Sequence, residues 1–203
     1  MQRRRSKGTN DNSSAMDRGY RGGGSYLTDI RRLTFVEPDT ELLVRLLPVA
    51  RRIFTETFGH LFEAKDFDAF CTSAYSPDGS MAQDFNDPNV RWRIATADGQ
   101  PVGYAKLTPL RAPAVKASEN AVELQQIYIE STWHGCGVAD TLMMWGLDTA
   151  RSVGATEIYL TVFDHNERAK RFYTRYGFED VGSCTFQLGE RIYDDRIWRL
   201  KLI

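Results

Sequence analysis

Two glycines separated by one residue, Gly135 and Gly137, stand between an apolar run and a second, helix-like one. That pattern suits phosphate binding. Glycines allow the chain to turn so that successive N–H groups face one point. If a helix opens at Gly135-Cys136-Gly137-Val138-Ala139, the unpaired N–H groups of its first turn add partial positive charge at the same point. Other phosphate loops fit less well. A dinucleotide fingerprint starting at Gly135-x-Gly137, with Asp164 as a distant ribose acid, meets Asp140 at its third glycine position. The loop also lies five residues past the last apolar residue of the strand, Ile129, instead of directly after it. A Walker loop needs Gly-Lys-Ser/Thr, which the sequence lacks.

The strand before the loop, residues 121–129, carries a second signal. Val122 and Leu124 share one face of an extended chain, whereas Ile127 and Ile129 have the opposite parity. One extra residue near Gln125 or Gln126, a β-bulge, places all four on one face. It also bends the strand away from its neighbour and leaves main-chain N–H and C=O groups for an extended ligand that carries amides. A strand buried on both faces needs no bulge, and parity does not choose between the two.

Two motifs in order then point to a family. His134-Gly135-Cys136-Gly137-Val138-Ala139 resembles the acetyl-CoA pyrophosphate loop of the GCN5-related N-acetyltransferase (GNAT) superfamily, Gln/Arg-x-x-Gly-x-Gly/Ala. Asn166-Glu167-Arg168-Ala169-Lys170-Arg171-Phe172-Tyr173, closed by Tyr176-Gly177-Phe178, resembles the second signature, N-x-x-A-x-x-F-Y followed by G-F. The resemblance spans residues 30–203 at fold level and is specific over 121–178. His134 departs from the usual Gln or Arg, which touches a side-chain contact and not a loop that works through backbone amides. Within the superfamily, the order of elements and Thr55-Glu56-Thr57-Phe58 are most similar to PaiA-type polyamine N-acetyltransferases. The resemblance implies acetyl-CoA as cosubstrate, no metal, and a mixed α/β fold: a mostly antiparallel central sheet with one splayed parallel pair and helices on both faces. It implies cofactor contacts at Ile127, Tyr128 and Ile129, from His134 through Gly135, Cys136, Gly137, Val138 and Ala139 to Asp140, and at Asn166, Ala169, Phe172 and Tyr173.

The chemistry so implied is attack of an amine on a thioester. An alkylamine titrates near lysine, at about 10.4, so only about one molecule in 10³ is a neutral nucleophile at neutral pH. A group must take a proton from nitrogen, and another must give one to the leaving thiolate. Tyr173 suits the second role, because a phenol of pKa about 10 can protonate a thiolate; its structural alternative is a core aromatic beside Ala169, Phe172 and Tyr176. Glu123 is the candidate base, a carboxylate amid apolar residues on the central strand; its alternative is a strand-edge acid paired with Lys or Arg. Gln125 can position an acceptor but cannot act as a base. His165 reads as helix-start surface, and His60 has no visible partner. Cys136 stands where a helix N-terminus lowers a thiol pKa, yet it fills a variable motif position and no catalytic His–Cys pairing is suggested. Direct transfer in a ternary complex is therefore favoured over an acetyl-cysteine.

These residues need elements to hold them. A first strand ends near Val36, and Asp39 suits the cap of a helix whose apolar spacing runs from Leu43 to Phe58. Pro48 inside it predicts a kink or two abutting helices. Residues 65–87 read as one or two short helices broken at Pro77-Asp78-Gly79. Residues 90–97 and 101–110 flank Asp98-Gly99, an antiparallel hairpin signal. The central strand, its helix and the strand at 156–163 make a right-handed parallel unit. Asp164 or Asn166 caps the next helix, Gly177 ends it, and residues 178–188 and 191–202 form a closing hairpin.

Composition sets the frame. The 203 residues are 42% hydrophobic, enough for one domain with a real core, here residues 26–203. No stretch is long and apolar enough for a membrane helix. Residues 1–25 hold six basic side chains against two acidic (+4) and read as a disordered tail, whereas the remainder holds 20 against 25 (−5). The start has no apolar h-region for a signal peptide. Three scattered cysteines, Cys71, Cys136 and Cys184, suggest neither a disulfide framework nor a zinc site and fit a reducing cytoplasm. The acidic body favours a cationic acceptor, with Glu56, Glu123, Glu190, Asp194 and Asp195 on segments that border the acceptor in the family. Expected partners are thus a small-molecule amine, with no specific nucleic acid, no membrane, and a homodimer as an option. A protein lysine or N-terminus is the rival acceptor, and an acetyl-CoA-binding regulator without turnover is the rival class.

Overall fold

The computed structural model describes residues 33–113 and 116–202; the expected tail over residues 1–25 lies outside them. Seven strands form one sheet: β1 (Leu33–Val36), β2 (Arg91–Ala97), β3 (Gln100–Pro109), β4 (Ala121–Ile129), β5 (Glu157–Phe163), β6 (Glu179–Leu188) and β7 (Arg191–Lys201). Their order is β1-β2-β3-β4-β5-β7-β6. Every pairing is antiparallel except β4 with β5, as the resemblance implies. Asp98 (φ 49°) and Gly99 (φ 77°) make the β2–β3 turn with two left-handed residues, which matches the right-handed twist of a hairpin. In the closing hairpin the later strand lies inside, beside β5. Its Ile197 and Trp198 are buried, whereas most of β6 alternates between exposed and half-buried positions.

Three helices cover one face of the sheet and two the other. On the first face, α1 (Thr40–Phe58), α2 (Ala64–Tyr75) and α3 (Ser80–Phe85) pack Leu46, Phe54, Phe67 and Met81 against Trp92, Ile94 and Tyr104. On the second, α4 (Val138–Ser152) and α5 (Glu167–Arg175) pack Leu142, Met143, Leu147, Phe172 and Tyr173 against Leu107, Leu124, Ile158 and Leu160. The Asp39 carboxylate accepts the Leu42 N–H at 2.7 Å, a side-chain cap at the start of α1. Pro48 does not divide this helix, which runs unbroken for 19 residues. Both Pro48 and Val44, whose carbonyl loses its helical donor, are exposed, so water can serve that oxygen.

The bulge is present. Lys106 pairs with Gln126 and Leu107 with Leu124, so Gln125 is the extra residue on β4. Val122, Leu124, Ile127 and Ile129 consequently all pack on the α4–α5 side, and Tyr128 packs on the other. Gly146 brings α4 close to this strand: a Cβ there would lie 3.1 Å from Leu124 Cδ1.

Candidate active site

The parallel ladder holds only three pairs, Ala121 with Glu157, Val122 with Ile158 and Glu123 with Tyr159. Beyond Glu123 the bulged β4 leaves β5, and a gap opens. The direction of the peptide groups in that gap follows from alternation. Glu130 N–H donates to Val102 O at 2.9 Å, so residues 130 and 128 face β3, and Ile127 and Ile129 face away from it into the gap. A cleft of about 1250 Å³ runs through the opening, lined from both faces of the sheet. Single small-ligand sites hold roughly 300–1,000 Å³, so this volume suits two substrates.

At one end lies the N-terminus of α4. Gly135 (φ 76°) and Gly137 (φ 79°) are both left-handed, a conformation costly for any residue with a Cβ. The helix's first backbone bond runs from Thr141 N–H to Gly137 O at 3.0 Å, and Gly137 offers no side-chain cap. The earlier N–H groups therefore point out of the helix end, where an anion is favoured. His134 straps the loop. Its Nδ1 accepts from Arg168 Nη1 at 2.7 Å, which leaves Nε2–H to donate to Ile129 O at 3.1 Å, the tautomer this pairing requires. Burial, then the Arg168 charge, hold His134 below its ordinary pKa. Arg168, Arg171 and Arg175 of α5 all line this end. These cations escaped the sequence reading, although the second motif carries them at positions 168, 171 and 175, one face of a helix. Asp140 accepts from Tyr176 Oη at 2.5 Å and fastens α4 to the end of α5. The Asn166 side chain caps α5 by accepting the Ala169 N–H at 3.1 Å; Asp164 instead pairs with Lys170 at 2.8 Å.

Tyr173 stands at the middle. It packs on Phe172 (ring centroids 5.5 Å) and Phe178 (5.8 Å), and it also lines the cleft. The aromatic-core reading and the site reading thus describe one residue. Burial pushes its phenol up to about 12, which keeps it protonated across the physiological range. Tyr128 is raised too, by burial first and then by the nearby Tyr173 and Asp195.

The other end is bounded by α1, α2, α3 and β6. Phe58, Phe62, Phe70 and Phe186 line it together with Tyr75 and Tyr128; Phe70 and Phe186 meet edge to face at 5.6 Å. Glu123 is buried, 3% exposed, and is no surface ion pair. Its Oε2 accepts the N–H groups of Arg111 at 2.9 Å and Ala112 at 2.7 Å. Burial raises its pKa against the lowering effect of those two donors. Beside it, the buried Lys106 (4% exposed) and Arg111 share Asp84, at 2.6 and 2.8 Å. Of the five acids expected near the acceptor, Glu123 and Asp195 line the cleft, and Glu56, Glu190 and Asp194 do not. Asp195 is pushed up to about 6, by burial first and then by Asp164 and Asp194. Its place was legible in parity, since it lies between the inward-packed Tyr193 and Ile197. Gln125 lines the cleft at the bulge, while His165 packs edge to face on Phe163 at 5.4 Å outside it.

A sheet opened at its one parallel pair, with a helix N-terminus on one side of the opening and an acid-bearing aromatic pocket on the other, is the layout of an acyl-CoA-dependent acyltransferase. The chain belongs to the Acetyltransferase (GNAT) family, whose profile matches residues 47–178. An uncharacterized N-acetyltransferase of Mycobacterium tuberculosis (strain ATCC 25618 / H37Rv) is 32% identical over 152 residues, 69% of this chain and 93% of the relative. In fold the chain is similar to the PaiA N-acetyltransferase of Thermoplasma acidophilum, solved in complex with coenzyme A, with TM-score 0.68 and 19% identity over 84% of this chain and 99% of that one. It is also similar to the ribosomal-protein-alanine N-acetyltransferase of Brucella melitensis, with TM-score 0.62 and 20% identity over 83% and 99%. Likeness at such identity shows the fold alone. The chain is an N-acetyltransferase of GNAT type that takes its acetyl group from acetyl-CoA, and among the described residues no helix is long and apolar enough to cross a membrane.

Proposed function

We propose that acetyl-CoA and a primary amine occupy the cleft together and that the amine attacks the thioester directly. The observation that carries this reading is the continuity of the cleft from the α4 N-terminus, past Tyr173, to Glu123 and the aromatic end. Backbone amides of Gly135, Cys136, Gly137, Val138 and Ala139, with Asp140 and His134 fixing the loop, hold the pyrophosphate, and Arg168 and Arg171 add positive charge. Ile127 and Ile129 pair through their backbone with the pantetheine arm, with Tyr128 between them; Asn166, Ala169 and Phe172 form its opposite wall. The amine nitrogen bonds to the carbonyl carbon, the C–S bond breaks, and Tyr173 gives its proton to the thiolate. Glu123 takes up the proton released by nitrogen, through water, and Gln125 helps orient the acceptor. A cationic acceptor is supported by Glu123 and Asp195 among the carboxylates that line the cleft. The free Cys71, Cys136 and Cys184 support a cytoplasmic setting.

Initial-rate kinetics test the reading. Direct attack predicts double-reciprocal lines that intersect and a Cys136→Ala enzyme that still turns over. Parallel lines with loss of turnover in Cys136→Ala would instead establish an acetyl-cysteine. An enzyme that binds acetyl-CoA yet releases no CoA with any amine would be a regulator.

A further inference from the structure

The acceptor end carries more rings than acids, and its charges are unequally committed. Glu123 already accepts two backbone N–H groups. Asp84 is matched by Lys106 and Arg111. Asp195 differs: it lines the cleft, and its carboxylate has no ion-pair partner among the described residues. It projects from β7 at the position paired with Phe163, the last residue of β5, where β4 has already departed. The groups acting on it or on which it acts are Asp164 at the end of β5, its neighbour Asp194, Cys184 on β6 and Tyr128 on β4, and none of these brings a positive charge. Away from Asp195, and apart from the polar stretch of Gln83, Asp84, Lys106, Arg111, Glu123 and Gln125, the wall is a continuous set of rings joining Phe54 to Phe58 at 5.0 Å, Phe54 to Phe70 at 5.3 Å and Phe62 to Phe186 at 6.5 Å. A long polycation would place further ammonium groups against these rings or beside Lys106 and Arg111, where no uncommitted carboxylate meets them.

We infer that the preferred acceptor is a monoamine on a flat apolar body, its ammonium drawn to Asp195 and its body laid against Phe58, Phe62, Phe70, Tyr128 and Phe186. This rests on the transfer reading above and narrows it to a substrate class. Asp195 attracts and orients the cation; the nitrogen then loses its proton by the route already given. An aromatic face favours such a body both as apolar surface and as a partner for a ring, and a half-buried carboxylate with one cation satisfies charge without excess.

The test is CoA release with 2-phenylethylamine, tryptamine and hexylamine against putrescine and spermidine. kcat/KM for 2-phenylethylamine should exceed that for putrescine by about tenfold or more, a margin within reach of an apolar pocket. Asp195→Asn should raise the KM for 2-phenylethylamine about tenfold, as loss of a charged hydrogen-bond partner does, with the acetyl-CoA Kd unchanged. Phe70→Ala, which leaves every charge in place, should raise that KM by about threefold to tenfold. Spermidine or putrescine as the best acceptor, or an unchanged KM in Asp195→Asn, overturns this inference and leaves the transfer reading standing. Failure of every amine with acetyl-CoA still bound overturns both.

Discussion

Tyr173 and Glu123 reach the cleft from opposite faces of the sheet, and their environments push both toward holding a proton. A phenol at about 12 stays protonated at any working pH, though the same shift makes it a weaker acid toward the thiolate. Tyr173→Phe should therefore lower kcat by roughly 10²-fold, the low end for a lost general acid, with little change in acetyl-CoA affinity; unchanged turnover would remove Tyr173 from the mechanism. Both residues were legible in the sequence, one through a motif and the other as a lone acid in an apolar strand. The donors that hold Glu123, Arg111 N–H and Ala112 N–H, were not. They come from a loop whose approach depends on where β3 ends, a tertiary fact with no local pattern. The Arg168–His134 contact was hidden for the same reason, since it joins positions 34 apart in sequence.

Among the elements, Gln125, the extra residue on β4, sets the shape of the opening. Its insertion keeps Ile127 and Ile129 packed on the α4–α5 side and ends the β4–β5 ladder after three pairs. Deleting Gln125 should rotate the strand's end, turning Ile127 and Ile129 to the other face and closing the gap. The expected result is a large loss of thermal stability or, in any folded fraction, loss of acetyl-CoA binding by calorimetry; a stable deletion variant with native affinity would refute the role given to the bulge. Parity alone predicted either a bulge or a doubly buried strand, and the pairing of Leu107 with Leu124 decides it. The helix caps were local and legible: Asp39→Ala should lower stability by about 1 kcal/mol, measured by urea unfolding. Which strand of the last hairpin lies inside was not legible, because two adjacent amphipathic strands present similar patterns and only contact with β5 distinguishes them.

Across the whole molecule, the charges divide by function. The cations that line the cleft gather at the α4 end, apart from Lys106 and Arg111, which share the single carboxylate of Asp84. The Asp84 carboxyl feels burial raising its pKa, but hydrogen bonds and charge from Arg111 and Lys106 outweigh that and leave it below 3.8. A lowered folded pKa contributes stability that is present above the unfolded value and lost as pH falls through the folded one. Asp84→Asn should therefore destabilise the protein most at neutral pH, by about 3–5 kcal/mol because Lys106 stays buried without its partner. The difference from the native protein should shrink below pH 3.8; a pH-independent difference in melting curves would contradict this pairing. Composition gave the sign of this balance and not its layout, because Asp84 and the two cations that share it come from α3, β3 and the loop after β3.

The central claim is that the opening between β4 and β5, with the α4 N-terminus beside it, is where acetyl-CoA lies. Calorimetric titration of acetyl-CoA into the native protein and into Gly137→Asp tests it most directly. The substitution sets a carboxylate at the helix N-terminus and a side chain on a residue at φ 79°. Like charge there and a loop relaxed out of its left-handed turn should cost about 3 kcal/mol together, a weakening of about 100-fold. Native affinity in a folded Gly137→Asp protein would contradict the account.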